Sequence, residues 1–122
     1  MNELLLIVDD AKFARNMVKR ALLNGGYENY IEAASAAEAI ELFTEREPDL
    51  TLLDITLTDS SDLSLLKRLL EIRPQAKIVM NSAIGQELII NDALKLGARD
   101  FITKPFSETD LLDIVKTVLE SE

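Results

Sequence analysis

Short apolar runs alternate along the chain with longer stretches in which apolar residues recur at every third or fourth position. The five runs cover residues 4–8, 30–34, 50–53, 77–80 and 100–103. The first, third and fourth runs consist mostly of Leu, Ile, Val and Met, which is typical of strands covered on both faces. The alternation therefore predicts five βα units that form a parallel sheet with helices on both faces and right-handed crossovers.

The stretches between the runs carry residues that commonly begin and end helices. Asp10, Ser35 and Ser107 are expected to cap the first, second and fifth helices. Glycine or proline follows each of the first four helices and marks its end. The predicted apolar faces are formed by Phe13, Met17, Ala21 and Leu22 in the first helix and by Ile89, Ile90, Ala93, Leu94 and Leu96 in the fourth.

Composition narrows the chemistry that this fold can perform. The 122 residues include no Cys and no His, which excludes disulfides, thiolate metal sites and imidazole bases. A net charge of −9 disfavours direct binding to nucleic acid. The first residues lack the features of a signal peptide, and no apolar run reaches the about 18 residues that a membrane span needs. We therefore expect one cytoplasmic domain covering residues 1–122.

Polar residues follow the predicted strands at their carboxyl ends, the edge at which open parallel sheets bind ligands. They are Asp9 and Asp10 after the first strand, Asp54 after the third, Asn81 and Ser82 after the fourth, and Lys104 and Pro105 after the fifth. Each has an ordinary explanation when taken alone, as a helix cap, a turn residue or a surface charge. Their arrival at one edge of the sheet is what indicates a functional site.

Three carboxylates held close together repel one another and raise each other's pKa values unless a cation neutralises them. Carboxylate oxygens suit Mg²⁺, which is typically held by one or two carboxylates, waters and phosphate oxygens. Lys104 adds a movable positive charge, and Ser82 adds a hydroxyl donor. These groups around Asp54 predict a site at which that carboxylate carries a phosphoryl group.

Four segments of the chain resemble the receiver domains of bacterial response regulators, and together they extend over essentially the whole length. The segments are LLLIVDDAKFARNMVKRAL, PDLTLLDITLTD, KIVMNSAIGQ and GARDFITKPF. Within this family the chain is most similar to single-domain chemotaxis regulators, particularly over SAIGQ and DFITKPF. The resemblance implies a flavodoxin-like (βα)5 fold, a doubly wound five-stranded parallel sheet with strand order 2-1-3-4-5.

The resemblance also implies a role for each acidic residue of the site. Asp54 corresponds to the phospho-acceptor. Asp9 and Asp10 correspond to the acidic pair that binds Mg²⁺ together with Asp54, with Asp10 as the direct ligand, and Thr56 is expected to offer its backbone carbonyl to the same ion.

Further roles follow from the resemblance for residues of the last two strands. Ser82 and Lys104 are expected to stabilise the phosphoryl group, and a cis peptide bond is expected between Lys104 and Pro105. Ser82 and Phe101 correspond to a conformational switch, in which Phe101 lacks the hydroxyl that a tyrosine would carry.

The implied function is signal transduction in a two-component system. A sensor histidine kinase or a phosphotransfer domain donates the phosphoryl group, and an output protein binds the face formed by the fourth helix, the fifth strand and the fifth helix. The exposed position expected for Leu88 on the fourth helix is compatible with such docking. The domain is expected to be a monomer or weak dimer, and it catalyses only its own phosphorylation and dephosphorylation, not the turnover of a separate substrate.

The chain departs from the family pattern near the acceptor. Thr58 stands where a proline is common, and Asp62 stands where a glycine is common, although Asp62 could cap the third helix. Asn81 is polar where an apolar residue is usual, and Thr56 and Ile84 flank the site at positions that could control access of water.

Three other interpretations remain open from the sequence. Residues 54–58 have the form Asp-x-Thr-x-Thr, which is also found in phosphohydrolases of the haloacid dehalogenase type, although their nucleophile normally lies on the first strand. A receiver that is not phosphorylated and serves only as a scaffold is disfavoured by the intact set of acidic, hydroxyl and lysine residues. The chain could also be the receiver part of a longer transcriptional regulator.

Overall fold

In the computed structural model, which describes residues 2–57 and 63–121, strands and helices alternate along the chain. The strands are β1 (Leu5–Val8), β2 (Tyr30–Ala33), β3 (Leu50–Asp54), β4 (Ile78–Ala83) and β5 (Asp100–Lys104). The helices are α1 (Lys12–Asn24), α2 (Ala36–Arg46), α3 (Ser64–Ile72), α4 (Glu87–Leu96) and α5 (Glu108–Glu120). None of the helices in the described part of the chain is long and apolar enough to cross a membrane.

The five strands form one parallel sheet in the order β2-β1-β3-β4-β5, which confirms the predicted fold class. The chain order of the strands reverses between β1 and β3, the position at which such sheets bind ligands. Val8 lies opposite Leu53 in the ladder, and Asp54 lies opposite Asn81. This register brings Asp9, Asp54 and the end of β4 to the same edge of the sheet.

The fourth strand is longer than its apolar run predicts. It continues through Asn81 and Ser82 to Ala83, because these residues stay paired with β5, with Asn81 opposite Ile102 and Ser82 opposite Thr103. Backbone pairing on both sides of β4 therefore outweighs the polarity of its last side chains. Asn81 and Ser82 lie within the strand and are buried.

Alternate residues of the central strands supply two separate cores, one on each face of the sheet. Leu6, Val8 and Met80 pack against α2, α3 and the inner side of α4. Leu5, Ile7 and other side chains on the opposite face pack against α1 and α5. Burial on both faces explains why the central strands have nearly continuous apolar sequences.

Two of the four predicted helix caps, those of α2 and α5, are confirmed. The Ser35 hydroxyl accepts a hydrogen bond from the backbone N–H of Glu38 at 3.2 Å, and the Ser107 hydroxyl accepts one from Asp110 at 3.0 Å. The prediction that Asp10 caps α1 is wrong. The cap position is Ala11, whose N–H donates to Oδ1 of Asp9 at 2.9 Å, because the Asp9 side chain turns back over the start of the helix.

The predicted apolar face of α1 is only half correct. Ala21 and Leu22 are buried together with Val18, whereas Phe13 is 76% exposed and Met17 is 48% exposed. Both exposed residues belong to the first part of the helix and line an open pocket of about 320 Å³ beside the loop after β5. Neither side chain belongs to the core that Val18, Ala21 and Leu22 of this helix help to form.

The broad apolar face predicted for α4 is also divided by the structure. Ile90 and Ala93 are buried, whereas Ile89, Leu94 and Leu96 remain between 37% and 41% exposed. The sheet covers only the narrow stripe that faces β4 and β5. Asp62, which was predicted to cap α3, lies outside the described residues, and the cap position of α3 is occupied by Leu63, which makes no side-chain cap hydrogen bond.

The cap of α2 offers a direct test of the local contacts. Replacing Ser35 with Ala should lower the free energy of unfolding by about 1 kcal/mol, because the N–H of Glu38 loses its side-chain acceptor. Urea unfolding followed by circular dichroism would measure the change. Ser35→Asp is the matched control, since its carboxylate restores an acceptor. Equal losses in the two variants would contradict the capping role.

Candidate functional site

Three carboxylates meet at the carboxyl ends of β1 and β3. Asp9, Asp10 and Asp54 can each place one oxygen within 4.8 Å of the others. Asp9 and Asp54 are buried, with 4% and 5% of their surface exposed, whereas Asp10 is exposed at the rim. Two buried carboxylates and one at the rim form a pocket of hard oxygen ligands that is open on one side.

Lys104, the last residue of β5, supplies a positive charge to this cluster. Its Nζ lies 3.3 Å from Oδ2 of Asp9 and 3.7 Å from Oδ1 of Asp54. Both carboxylates are almost inaccessible to solvent, so these ion pairs are weakly screened. The peptide bond between Lys104 and Pro105 is cis, as the family resemblance implied.

Hydrogen bonds from the turn that follows β3 fix the orientation of Asp54. The backbone N–H of Thr56 donates to Oδ1 of Asp54 at 3.0 Å, and the Thr56 hydroxyl donates to the same oxygen at 2.9 Å. Lys104 approaches this oxygen too. Three donors therefore gather on one side of the Asp54 carboxylate and hold its plane in place.

The hydroxyl contact of Thr56 was not expected from the sequence, which suggested a metal-binding role for the backbone carbonyl of this residue and a position that controls access of water. A threonine two positions after an aspartate is a recognisable signal for such a contact. Asp side chains commonly accept hydrogen bonds from the residue two positions later, and a hydroxyl there can add a second donor.

Burial raises the pKa of Asp9 above its ordinary value. The hydrogen bond from Ala11 opposes this shift, the nearby charge of Asp54 adds to it, and Lys104 opposes it. The net effect is a raised pKa, so ionised Asp9 is held in an unfavourable environment. Its charge would be stabilised by a cation, and the carboxylate donors of the cluster fit a hard divalent ion such as Mg²⁺.

Ser82 and Phe101 are not part of this cluster. The Ser82 side chain is 1% exposed, and its hydroxyl donates to the carbonyl of Ile102 at 3.4 Å, a long and weak hydrogen bond. Phe101 is 36% exposed and lines a pocket of about 190 Å³ between β5 and α4, together with Ile84 and Ile90.

Asn81 is the unusual polar residue of this region. It is 6% exposed, it lies opposite Asp54 in the sheet, and its Oδ1 has no hydrogen-bond partner among the described residues. It lines the same open pocket as Phe13, Met17 and Lys104. An unpaired buried amide oxygen is costly, so its position beside the acidic cluster is not explained by packing.

Comparison with known proteins agrees with these features. The family model described as the response regulator receiver domain matches residues 5–116. The chain belongs to this family. It is 42% identical to the chemotaxis protein CheY of Bacillus subtilis, over 94% of this chain and 96% of that protein. It is 39% identical to the chemotaxis protein CheY of Thermotoga maritima, over 97% and 98%.

The fold also matches that of a solved receiver domain. The receiver domain of NtrX from Brucella abortus superposes with a TM-score of 0.91 at 33% identity, covering 97% of this chain and 99% of that one. The chain is therefore a response regulator receiver domain and not a classical enzyme. The haloacid dehalogenase alternative is not favoured, because Asp54 ends the third strand of a receiver sheet and not the first.

The receiver structure brings together Asp9, Asp10, Asp54 and Lys104 as the sequence predicted. Thr58 and the loop shape predicted from it lie outside the described residues. The expected cytoplasmic location stays a prediction as well.

The buried charge of Asp9 is expected to lower the free energy of unfolding of this receiver domain. Asp9→Asn should raise the free energy of unfolding at neutral pH, without Mg²⁺, by about 1 kcal/mol, because it removes a buried charge and keeps an acceptor for Ala11. The gain should be complete above the raised pKa of Asp9 and disappear below its ordinary pKa, where both forms are neutral. Thermal unfolding over a pH series would measure it.

The control for this experiment is Asp113→Asn, which makes the same change in net charge at an exposed position on α5. It should leave stability nearly unchanged. Adding Mg²⁺ should stabilise the wild-type protein more than the Asp9→Asn variant. A variant less stable than the wild type at neutral pH would show that the buried charge of Asp9 does not destabilise the fold.

Proposed function

We propose that this receiver domain accepts a phosphoryl group on Asp54 from a histidine kinase or a phosphotransfer domain, and that Mg²⁺ bound at the acidic cluster is required. The observation that carries the proposal is the placement of the buried Asp54 carboxylate within reach of two further carboxylates and a lysine. Such a site neutralises charge around a transferred phosphoryl group, and in phosphoryl transfer this accounts for most of the catalysis.

Asp9, Asp10 and Asp54 would hold the ion, with the Thr56 carbonyl as a further ligand. The bound ion would offset the negative charge of both the carboxylates and the phosphoryl oxygens. The orientation of Asp54 supports its role as nucleophile. Its Oδ1 is held by the backbone and hydroxyl of Thr56, which leaves the carboxylate plane fixed as one of its oxygens attacks phosphorus and the donor nitrogen or oxygen leaves.

Lys104 is proposed to move from the carboxylates to the phosphoryl group. In the described structure it contacts Asp9 and Asp54 at 3.3 and 3.7 Å, distances typical of a loose ion pair. A flexible side chain with a compact charge can follow the new negative charge on the phosphoryl oxygens at little cost. Binding of the ion would replace the positive charge that Lys104 withdraws from the cluster.

Ser82 and Phe101 are proposed to report the modification. The long hydrogen bond from Ser82 to the Ile102 carbonyl is easily exchanged for a stronger one to a phosphoryl oxygen. The Ile102 carbonyl directly follows Phe101, so loss of this contact would alter the backbone beside the half-exposed ring. Inward movement of Phe101 would then change the face of α4, β5 and α5, where Leu88 is exposed, and the adjoining connection before α4, where Ile84 is exposed.

We propose that this face binds the output protein and that the domain acts as a monomer or weak dimer. The relatives named as chemotaxis proteins favour a chemotaxis-type pathway for this chain. The exposed apolar residues on α4 support a binding role, since their side chains gain contacts only from a partner.

Phosphorylation can be tested without knowing the kinase. Incubation with acetyl phosphate and Mg²⁺ should add one phosphoryl group, detected by intact-mass spectrometry, because the site itself supplies the charge neutralisation. The adduct should be absent in Asp54→Asn and after addition of EDTA. Asp113→Asn should be modified like the wild type. The absence of any adduct, under conditions that modify another receiver domain, would refute the acceptor role.

The metal-binding role of Asp10 gives a separate prediction. Asp10→Ala should weaken Mg²⁺ binding by about tenfold or more, since even residues that only orient metal ligands have effects of this size. It should not destabilise α1, because Asp10 does not cap that helix. Titration calorimetry and urea unfolding would measure the two quantities. Unchanged affinity for Mg²⁺ would remove Asp10 from the proposed site.

A further inference from the structure

The backbone of Asp9 is held on both sides by groups outside its own turn. Its N–H donates to the carbonyl of Ala33 on β2 at 3.1 Å. Its carbonyl accepts a hydrogen bond from Nη1 of Arg15 on α1 at 2.7 Å. The second bond is short and comes from a charged donor, which makes it stronger than an ordinary contact to a carbonyl. The turn that carries Asp9 and Asp10 is therefore tied to both β2 and α1.

Arg15 is itself held in one orientation. Its Nε donates to Oε1 of Glu32 on β2 at 2.9 Å, and its side chain is only 14% exposed. Lys19 donates to the other oxygen of Glu32 at 3.0 Å. Burial by itself raises the pKa of Glu32, but the hydrogen bonds from Lys19 and Arg15 outweigh it and lower the pKa below its ordinary value. Glu32 is thus a charged, partly buried anchor for two cations.

We propose that Arg15, anchored by Glu32, is a positioning residue for the metal-binding carboxylates. It fixes the carbonyl of Asp9 and so sets the direction in which the side chains of Asp9 and Asp10 leave the end of β1. This inference rests on the proposed function, because it assumes that Asp9 and Asp10 hold Mg²⁺. It adds two residues, Arg15 and Glu32, that are not among the proposed ligands of the ion or of the phosphoryl group.

Two physical effects of Arg15 on Mg²⁺ binding have opposite signs. Arg15 is a cation close to the acidic cluster, so its charge alone weakens the binding of a second cation. Its hydrogen bond to Asp9 strengthens binding, because ligands that are already oriented lose less freedom when the ion enters. Removing Arg15 should therefore tighten binding if only its charge matters and weaken binding if it positions the turn.

Lys19 provides a matched comparison for Arg15. Both residues lie on α1, both carry one positive charge, and both pair with the same carboxylate. Within the described part of the chain, however, Lys19 makes no hydrogen bond to Asp9. Methionine is a suitable replacement at both positions, because it keeps the length of the apolar stem and has nearly the same helix propensity as Lys and Arg.

The experiment compares Arg15→Met with Lys19→Met in the full chain by calorimetric titration with MgCl2. Arg15→Met should raise the Kd for Mg²⁺ by about tenfold, the lower end of the range for groups that orient metal ligands. Lys19→Met should leave the Kd unchanged or slightly lower. Arg15→Lys keeps a charged donor but loses the guanidinium group, which bonds Glu32 and the Asp9 carbonyl at the same time. Its Kd for Mg²⁺ should lie between those of the wild type and Arg15→Met.

A kinetic measurement separates positioning from a general effect on folding. Phosphorylation by acetyl phosphate should need more Mg²⁺ in Arg15→Met, whereas its rate at saturating Mg²⁺ should stay within about twofold of the wild type, because the residue contacts neither Asp54 nor the phosphoryl group. If Arg15→Met does not fold, Arg15→Lys carries the same comparison.

Several outcomes would overturn the inference. An unchanged or tighter Kd in Arg15→Met would leave only the charge effect, and equal weakening in Arg15→Met and Lys19→Met would indicate a loss of Glu32 pairing alone. A wild-type protein that binds no Mg²⁺ would overturn the proposed function and this inference together. Normal binding by the wild type with no difference in Arg15→Met would overturn the inference alone.

Discussion

The burial of two neighbouring carboxylates is the constraint on which the site of this domain depends. Asp9 and Asp54 are nearly inaccessible to solvent and lie close enough to share an ion, yet among the described residues only Lys104 forms ion pairs with their carboxylate groups. The cluster therefore opposes folding, and a bound cation would offset its charge. A site of this kind couples folding stability to ligand binding, because the same charges that oppose folding favour the ion.

The rest of the fold holds this cluster in place. Two apolar cores clamp the central strands from opposite faces, so the ends of β1, β3 and β4 cannot move apart to relieve the repulsion. Short polar contacts then fix individual groups: Thr56 holds Asp54, Ala11 holds the side chain of Asp9, and Arg15 holds its carbonyl. Packing of the two cores thus fixes the positions of the strands, and local hydrogen bonds fix the orientations of the individual carboxylates.

The sequence was sufficient for the parts of this arrangement that depend on local pattern. Buried strands have continuous apolar runs, and residues at the ends of parallel strands must meet, so Asp9, Asp54 and Lys104 could be placed together. The sequence was insufficient for features that depend on tertiary contacts. Which of two adjacent aspartates turns back over α1, and how much of Phe13 the neighbouring elements cover, depend on packing that no periodicity encodes. The pairing of Arg15 with Glu32 joins α1 to β2 in the same way.

The placement of all this chemistry at one edge of the sheet has a consequence for the evolution of the domain. Loops at the opposite edge, such as the one containing Gly97, lie a full strand length from the acidic cluster. Changes of length or sequence there leave the carboxylates undisturbed as long as the strands stay paired. We therefore expect the end of the molecule that carries Gly97 to tolerate substitutions and changes of loop length, whereas the acidic end should tolerate only substitutions that preserve the charge balance.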